Sequence, residues 1–242
     1  MRDTMMKDTA QQKKGNLKNH KVLLAGIDGS GKSSCLDALI ERLEPEYSVT
    51  KVVNKDGSIY RNGQLKLIFR RFFEMVEGTR DASQKYNFYS IFLAIKFMYK
   101  LLVVKNVLRR PVTDLTMFEI DLLLHPSVYM TYHFPRFCKW VNARTRFRIM
   151  SKLTGASPEF SCFYLEADPE VSMERIRKRG IHIAAHENVE DLRKLKEEFD
   201  RVIDVASSCG YRVVRVNTND KNLAQVTDEI ESILSNRLST AA

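Results

Sequence analysis

Lys21-Val-Leu-Leu-Ala-Gly-Ile-Asp-Gly-Ser-Gly-Lys-Ser33 is the stretch whose reading decides the fold of this 242-residue chain. Lys21 to Ile27 is a short apolar run of the kind that a sheet covers on both faces. Gly26 to Ser33 fits G-x-x-x-x-G-K-[ST]. Ser33 to Leu43 then places Leu36, Leu39, Ile40 and Leu43 at helical spacing, and Pro45 follows where a helix would stop. Strand, glycine-rich turn and helix in that order are what a phosphate cradle requires. The glycines let successive backbone N–H groups point at phosphate oxygens, and the helix adds the positive end of its dipole. Gly26, Asp28, Gly29, Ser30, Gly31, Lys32, Ser33 and Ser34 are therefore expected to bind ATP. Lys32 would reach the β- and γ-phosphates, and the Ser33 hydroxyl would be the protein ligand of Mg²⁺.

Working outward, Ser48 to Val53 reads as a second strand, about Pro111 to Leu115 as a third, Phe160 to Leu165 as a fourth and Tyr211 to Val216 as a fifth. Helical patterns fill the intervals at about Gln64 to Val76, Ser83 to Val107, from Pro169 onward and Asn222 to Leu234. Strands alternating with helices imply an α/β fold with a mostly parallel, five-stranded sheet and right-handed crossovers. A polar, basic tail over 1–19 precedes this domain, which is expected over 20–238. Within it, residues 127–159 interleave Tyr129, Tyr132, Phe134, Phe137 and Trp140 with Arg136, Lys139, Arg144, Arg146 and Arg148, and read as a helical insertion near the acceptor site.

Composition narrows the class. Apolar residues make up 44% and charged residues 29%, which suits a globular chain able to bury a core. Lys and Arg exceed Asp and Glu by 39 to 30, a formal +9, so phosphate-rich partners are electrostatically favoured. Cys35, Cys138, Cys162 and Cys209 form no CxxC pair and read as reduced thiols of a cytoplasmic protein rather than zinc ligands or a disulfide framework. Tyr86 to Leu108 is the most apolar stretch, but Lys96, Lys100 and Lys105 interrupt it, which argues for a buried or amphipathic helix and against a membrane span.

The loop form Gly-Ile-Asp-Gly-Ser-Gly-Lys-Ser-Ser, with Asp28 inside it, resembles that of the thymidylate kinase family of P-loop nucleoside-monophosphate kinases. The likeness continues at Tyr164-Leu-Glu-Ala-Asp-Pro-Glu-Val171, followed by Glu174-Arg-Ile-Arg-Lys-Arg-Gly180, where that family carries an arginine-rich lid. It implies a P-loop NTPase fold, a lid at about 175–188, Mg-ATP as donor and, commonly, a homodimer. Arg175 and Arg179, then Arg177, are the lid arginines it points to. A closing cationic arm stabilises the charge that spreads over a phosphoryl group in flight, and excludes water.

The family's Asp-Arg-Tyr at the end of the third strand is not kept. Val112-Thr-Asp-Leu-Thr-Met-Phe-Glu-Ile-Asp121 stands there instead. Asp114 takes the metal-proximal, catalytic place if the strand ends there. Alternatively Asp121-Leu-Leu-Leu-His-Pro126 aligns with the family's Asp-Leu-Leu-x-Asp-Pro stretch. Either alignment loses the arginine. Asp28, Arg61 and Asp121 are the candidates for acceptor binding.

The residues and the resemblance together imply transfer of the γ-phosphoryl of Mg-ATP to a small acceptor, first a (deoxy)nucleoside monophosphate. Two alternatives stay open: a kinase acting on a hydroxyl of a nucleoside, sugar or other metabolite, and a nucleotide-binding regulator without kinase chemistry. A nucleic-acid-binding ATPase ranks last, because the aromatic and basic segment carries no recognisable binding motif.

Overall fold

The computed structural model describes residues 20–52, 114–118, 123–133, 138–180 and 188–240. In chain order the elements are β1 (His20–Ala25), α1 (Lys32–Leu43), β2 (Val49–Val52), β3 (Leu115–Phe118), α2 (His125–His133), α3 (Ala143–Thr154), β4 (Ser161–Glu166), α4 (Pro169–Lys178), α5 (Val189–Ser208), β5 (Val213–Asn217) and α6 (Leu223–Thr240). The strands form one five-stranded sheet in the order β2-β3-β1-β4-β5, every pairing parallel. The expected fold class is therefore observed, with β1 central and the glycine-rich loop leaving its carboxyl end.

Strand β1 shows why an unbroken apolar run suits this place. Leu23 and Ala25 join the core cluster that includes Phe118, Phe147, Tyr164, Ile176 and Phe199. Val22 and Leu24 enter the opposite cluster with Leu36, Leu39, Met117, Phe163 and Ile230. Alternate side chains feed two cores because α1 and α6 cover one face while α2 to α5 cover the other.

Local chemistry sets the helix ends. Asn142 accepts from the Thr145 N–H to start α3, Asn188 accepts from the Asp191 N–H to start α5, and Pro169 stands in the first turn of α4. Asn222 and Gln225 exchange reciprocal bonds at the start of α6, a capping box.

The third strand departs from expectation. It runs Leu115–Phe118 rather than about Pro111 to Leu115, and all four of its residues are buried. Thr116 breaks the apolar run in the sequence, yet its hydroxyl is buried with no hydrogen-bond partner among the described residues. The helical patterns expected at about Gln64 to Val76 and Ser83 to Val107 lie outside the described residues, as does Tyr86 to Leu108. Among the described residues no helix is long and apolar enough to cross a membrane.

Candidate active site

The loop from Gly26 to Gly31 is held in shape from below. Gly26 leaves no room for a side chain: a Cβ there would come within 2.6 Å of Ser30 Oγ and 2.7 Å of the Leu165 carbonyl oxygen. Gly29, at φ +80°, turns the chain through the left-handed region hard against α4, where a Cβ would meet the Ser172 carbonyl oxygen at 2.4 Å. Gly31, at φ +94°, enters α1 with no side chain capping the helix. No side chain thus caps the start of α1, the helix end whose N–H groups and dipole favour an anion.

Lys32 reaches back over this loop, donating from Nζ to the carbonyl oxygens of Gly26 and Ile27, each at 2.8 Å. Ser33 and Ser34 are exposed beside it, and Asp28 is half-buried. Ser30 is 2% exposed, and its hydroxyl has no hydrogen-bond partner among the described residues. An uncapped helix end, an unpartnered buried hydroxyl and a lysine that donates to two loop carbonyls fit a chain of phosphates. For Mg²⁺, the described residues hold no cluster of three His, Cys, Asp or Glu side chains. The donor set that fits is the Ser33 hydroxyl together with phosphate oxygens and water.

The loop forms the floor of a cleft of about 760 Å³, walled by His125, Arg175, Arg179, Phe199, Thr218 and Lys221. The wall formed by the β5–α6 loop is stitched to its neighbours. Thr218 donates its N–H to the Glu166 carbonyl (2.8 Å), and Asp168 donates its N–H to Asn219 Oδ1 (2.7 Å). Arg175 spends its guanidinium on the same loop, Nη1 donating to Thr218 Oγ1 at 3.2 Å and Nη2 to the Thr218 carbonyl at 2.5 Å. Arg175, expected as a lid arginine, is here tied to the wall of the cleft. Arg179 is exposed at the cleft and caps α4, its N–H bonding the Arg175 and Ile176 carbonyls. Arg177 is exposed and does not line the cleft.

Behind the cleft, Glu166 and Asp200 share Lys196 and Arg215 in a four-charge cluster, with Arg215–Asp200 at 2.5 Å and Lys196–Glu166 at 3.3 Å. The Arg215 guanidinium lies over the buried Tyr164 ring at 5.6 Å. Burial, reinforced by Asp200 and Glu166, pushes the Tyr164 phenol well above its ordinary value, so it stays neutral. Burial also pushes the Cys35 thiol, which lines the cleft from α1, up to about 11. It is a protonated packing group rather than a nucleophile.

Asp114 requires correction. Strands β1 and β3 are parallel with His20 opposite Leu115, so Asp114 precedes β3 at the amino edge of the sheet. The glycine loop leaves the opposite edge, six strand residues or roughly 20 Å away. There Asp114 does structural work: its carboxylate accepts from the Ser48 N–H at 3.2 Å and its carbonyl from the His20 N–H at 3.2 Å. Neither metal nor phosphoryl group is within its reach. The reading failed because it ended the strand where the structure begins it. Arg61, Asp121 and the lid stretch 181–187 lie outside the described residues.

His125 was not singled out from the sequence. It opens α2 with its side chain exposed, and Leu123 and Leu124 are buried just before it. That buried anchor delivers His125 to the cleft mouth. The Leu-Leu-His-Pro order was the available signal, since an apolar pair ahead of a polar residue and a helix-opening Pro marks a strand-to-helix turn.

No family model and no curated protein matches the sequence. Solved structures do. Deoxyadenosine kinase from M. mycoides with bound dCTP superposes with a TM-score of 0.55 at 16% identity, covering 89% of this chain and 99% of that one. The same enzyme with bound dATP gives 0.54 at 16% identity, with 89% and 99% covered. With the products dCMP and a flexible dCDP it gives 0.52 at 15% identity, with 89% and 98% covered. The chain thus shares the P-loop kinase fold over nearly its whole length, with little sequence in common with these structural neighbours.

Proposed function

We propose that this chain is a Mg-ATP-dependent phosphotransferase that transfers the γ-phosphoryl group to a nucleoside-type acceptor. One observation carries the reading: an uncapped helix end with its lysine, Lys32, opens directly into a cleft walled by Arg175, Arg179 and a stitched β5–α6 loop. In this reading Lys32 exchanges its two carbonyl bonds for phosphate oxygens, where a cation is worth more because the surroundings are dry and preorganised. The loop N–H groups and the start of α1 hold the phosphates, and Ser33 orients the metal. When bound, Mg-ATP supplies the transferable group and neutralises part of its charge. Arg175 fixes the wall against which the donor's base rests, and Arg179 brings positive charge to the cleft for the transferring group. The likeness to deoxyadenosine kinases, a matter of fold, agrees with this.

The acceptor group follows from what leaves β3. With the strand ending at Phe118, the next residues in sequence are Glu119, Ile120 and Asp121, outside the described residues. Two carboxylates and no cation suit a hydroxyl that needs a base, whereas a dianionic acceptor phosphate needs paired positive charge. We therefore place a nucleoside hydroxyl ahead of a nucleoside monophosphate and assign the base to Glu119. The monophosphate reading is favoured by Arg179, which offers charge to an acceptor phosphate, and by His125 at the cleft mouth, which offers a hydrogen bond.

Phosphorus NMR of products formed from Mg-ATP with nucleosides and with nucleoside monophosphates separates the two. A new phosphomonoester from a nucleoside supports the first reading. A new diphosphate from a monophosphate, with nucleosides inert, supports the second.

A further inference from the structure

From Leu122 to Pro158 the sequence contains no Asp or Glu, while Arg136, Lys139, Arg144, Arg146, Arg148 and Lys152 fall within it. The fold divides these cations by task. Arg146 is turned inward and donates to the carbonyls of Cys138 and Val141. Arg144 caps the end of α5 through the Ser208 carbonyl at 3.1 Å. Lys139, Arg148 and Lys152 are exposed and make no ion pair among the described residues. On α5, the helix against which α3 packs, Glu197 and Glu198 are paired with Arg201, and Glu198 lines a cavity with Lys139, so Arg148 and Lys152 are the cations without an ion pair on the outward side of α3 among the described residues.

Two large apolar side chains are exposed on this segment. Trp140, in the turn before α3, is 89% exposed, and Ile149 on α3 is 46% exposed. Phe147, Met150 and Thr154 fill the buried side of the helix, so Ile149 is not needed for the core. Arg148, Ile149 and Lys152 share the outward side at helical spacing.

We propose that the outer face of α3 and its preceding turn is a docking surface for an anionic lipid bilayer. Ile149 between Arg148 and Lys152 on the outward side of α3, with the exposed indole of Trp140 in the turn before it, matches what an interface requires: shallow apolar insertion with positive charge at headgroup level. A single-stranded nucleic acid would need a row of stacking aromatics along a groove. Among the described residues, Trp140 is the one exposed large aromatic side chain. The surface is separate from the phosphate cradle, so the proposal is independent of the phosphoryl-transfer reading.

Trp140 is the sole tryptophan of the chain, so its emission reports on this face directly. The full chain is titrated with phosphatidylcholine vesicles, with vesicles containing phosphatidylserine, and with single-stranded oligonucleotide. The expected result is a blue shift and protection from iodide quenching with the phosphatidylserine vesicles alone, reversed by salt. Lys139→Glu/Arg148→Glu/Lys152→Glu is expected to lower vesicle partitioning by on the order of 100-fold or more, since each basic residue strengthens attachment several-fold. Trp140→Ala, read by co-sedimentation, should also weaken it. Undiminished ATP binding by both variants verifies that they fold. Unchanged Trp140 emission with anionic vesicles, equal partitioning by the triple variant, or a blue shift with oligonucleotide alone each overturns the proposal.

Discussion

Replacing Gly29 and Gly31 separately by alanine probes the cradle's construction, because the two glycines share a backbone strain and differ in their surroundings. Both lie at positive φ, +80° and +94°. A side chain there costs about 1–2 kcal/mol in left-handed strain. At Gly31 a Cβ meets nothing within 4 Å, so strain is the whole effect. At Gly29 the Cβ falls 2.4 Å from the Ser172 carbonyl oxygen and 3.1 Å from Ile176 Cγ1. A backbone oxygen cannot swing aside, so α4 must shift, adding the ~1–3 kcal/mol typical of overpacking. The stiffening of the unfolded chain by alanine, ~0.4–1 kcal/mol, is common to both variants and cancels in the comparison. Gly29→Ala should therefore be less stable than Gly31→Ala by about 1–3 kcal/mol in urea unfolding at unchanged slope. Because α4 carries Arg175 and ends at Arg179, Gly29→Ala should also bind ATP more weakly. Coincident unfolding midpoints for the two variants would refute the packing of α4 on the loop.

Further predictions follow from single contacts. Thr218→Val removes the hydroxyl that Arg175 holds at 3.2 Å and should cost about 1–3 kcal/mol of stability together with ATP affinity, measured by unfolding and calorimetry. Asp114→Asn should leave turnover unchanged, because the residue is at the far edge of the sheet; a large loss of kcat would reinstate it as catalytic. Burial, then the nearby Arg237, holds His20 below the ordinary histidine value of 6.5. The unfolded chain thus takes up this proton first: the stability contributed by neutral His20 is complete above about pH 6.5 and is lost as pH falls below it toward the lowered native value. His20→Gln should flatten that part of the stability–pH curve, read from thermal unfolding.

The parts legible in the sequence are those in which local pattern and function coincide. Lys21 to Ile27 combines an apolar run with the start of Gly26 to Ser33, so strand, loop and helix were fixed together. The third strand was misread because Thr116 is polar yet fully buried, and because Pro111-Val-Thr looked like a strand start. That four-residue slip moved Asp114 from the amino edge of the sheet to the active-site edge. The bonds that tie Arg175 to the cleft wall were not legible, since its partner Thr218 is 43 residues away and nothing local announces the pairing. His125 reaches the cleft because of where Leu123 and Leu124 are buried, a tertiary fact. The exposure of Trp140 was equally hidden, as an indole in an aromatic stretch reads as core.

The most direct test of the central claim is ADP formation from Mg-ATP with nucleoside acceptors, comparing the chain with Lys32→Ala. Acceptor-dependent ADP formation that falls by about 100-fold or more in the variant is the predicted result, the usual scale for losing a preorganised charge donor. ADP formation that survives the substitution unchanged would contradict the assignment of the Gly26 to Ser33 loop as the site of phosphoryl transfer.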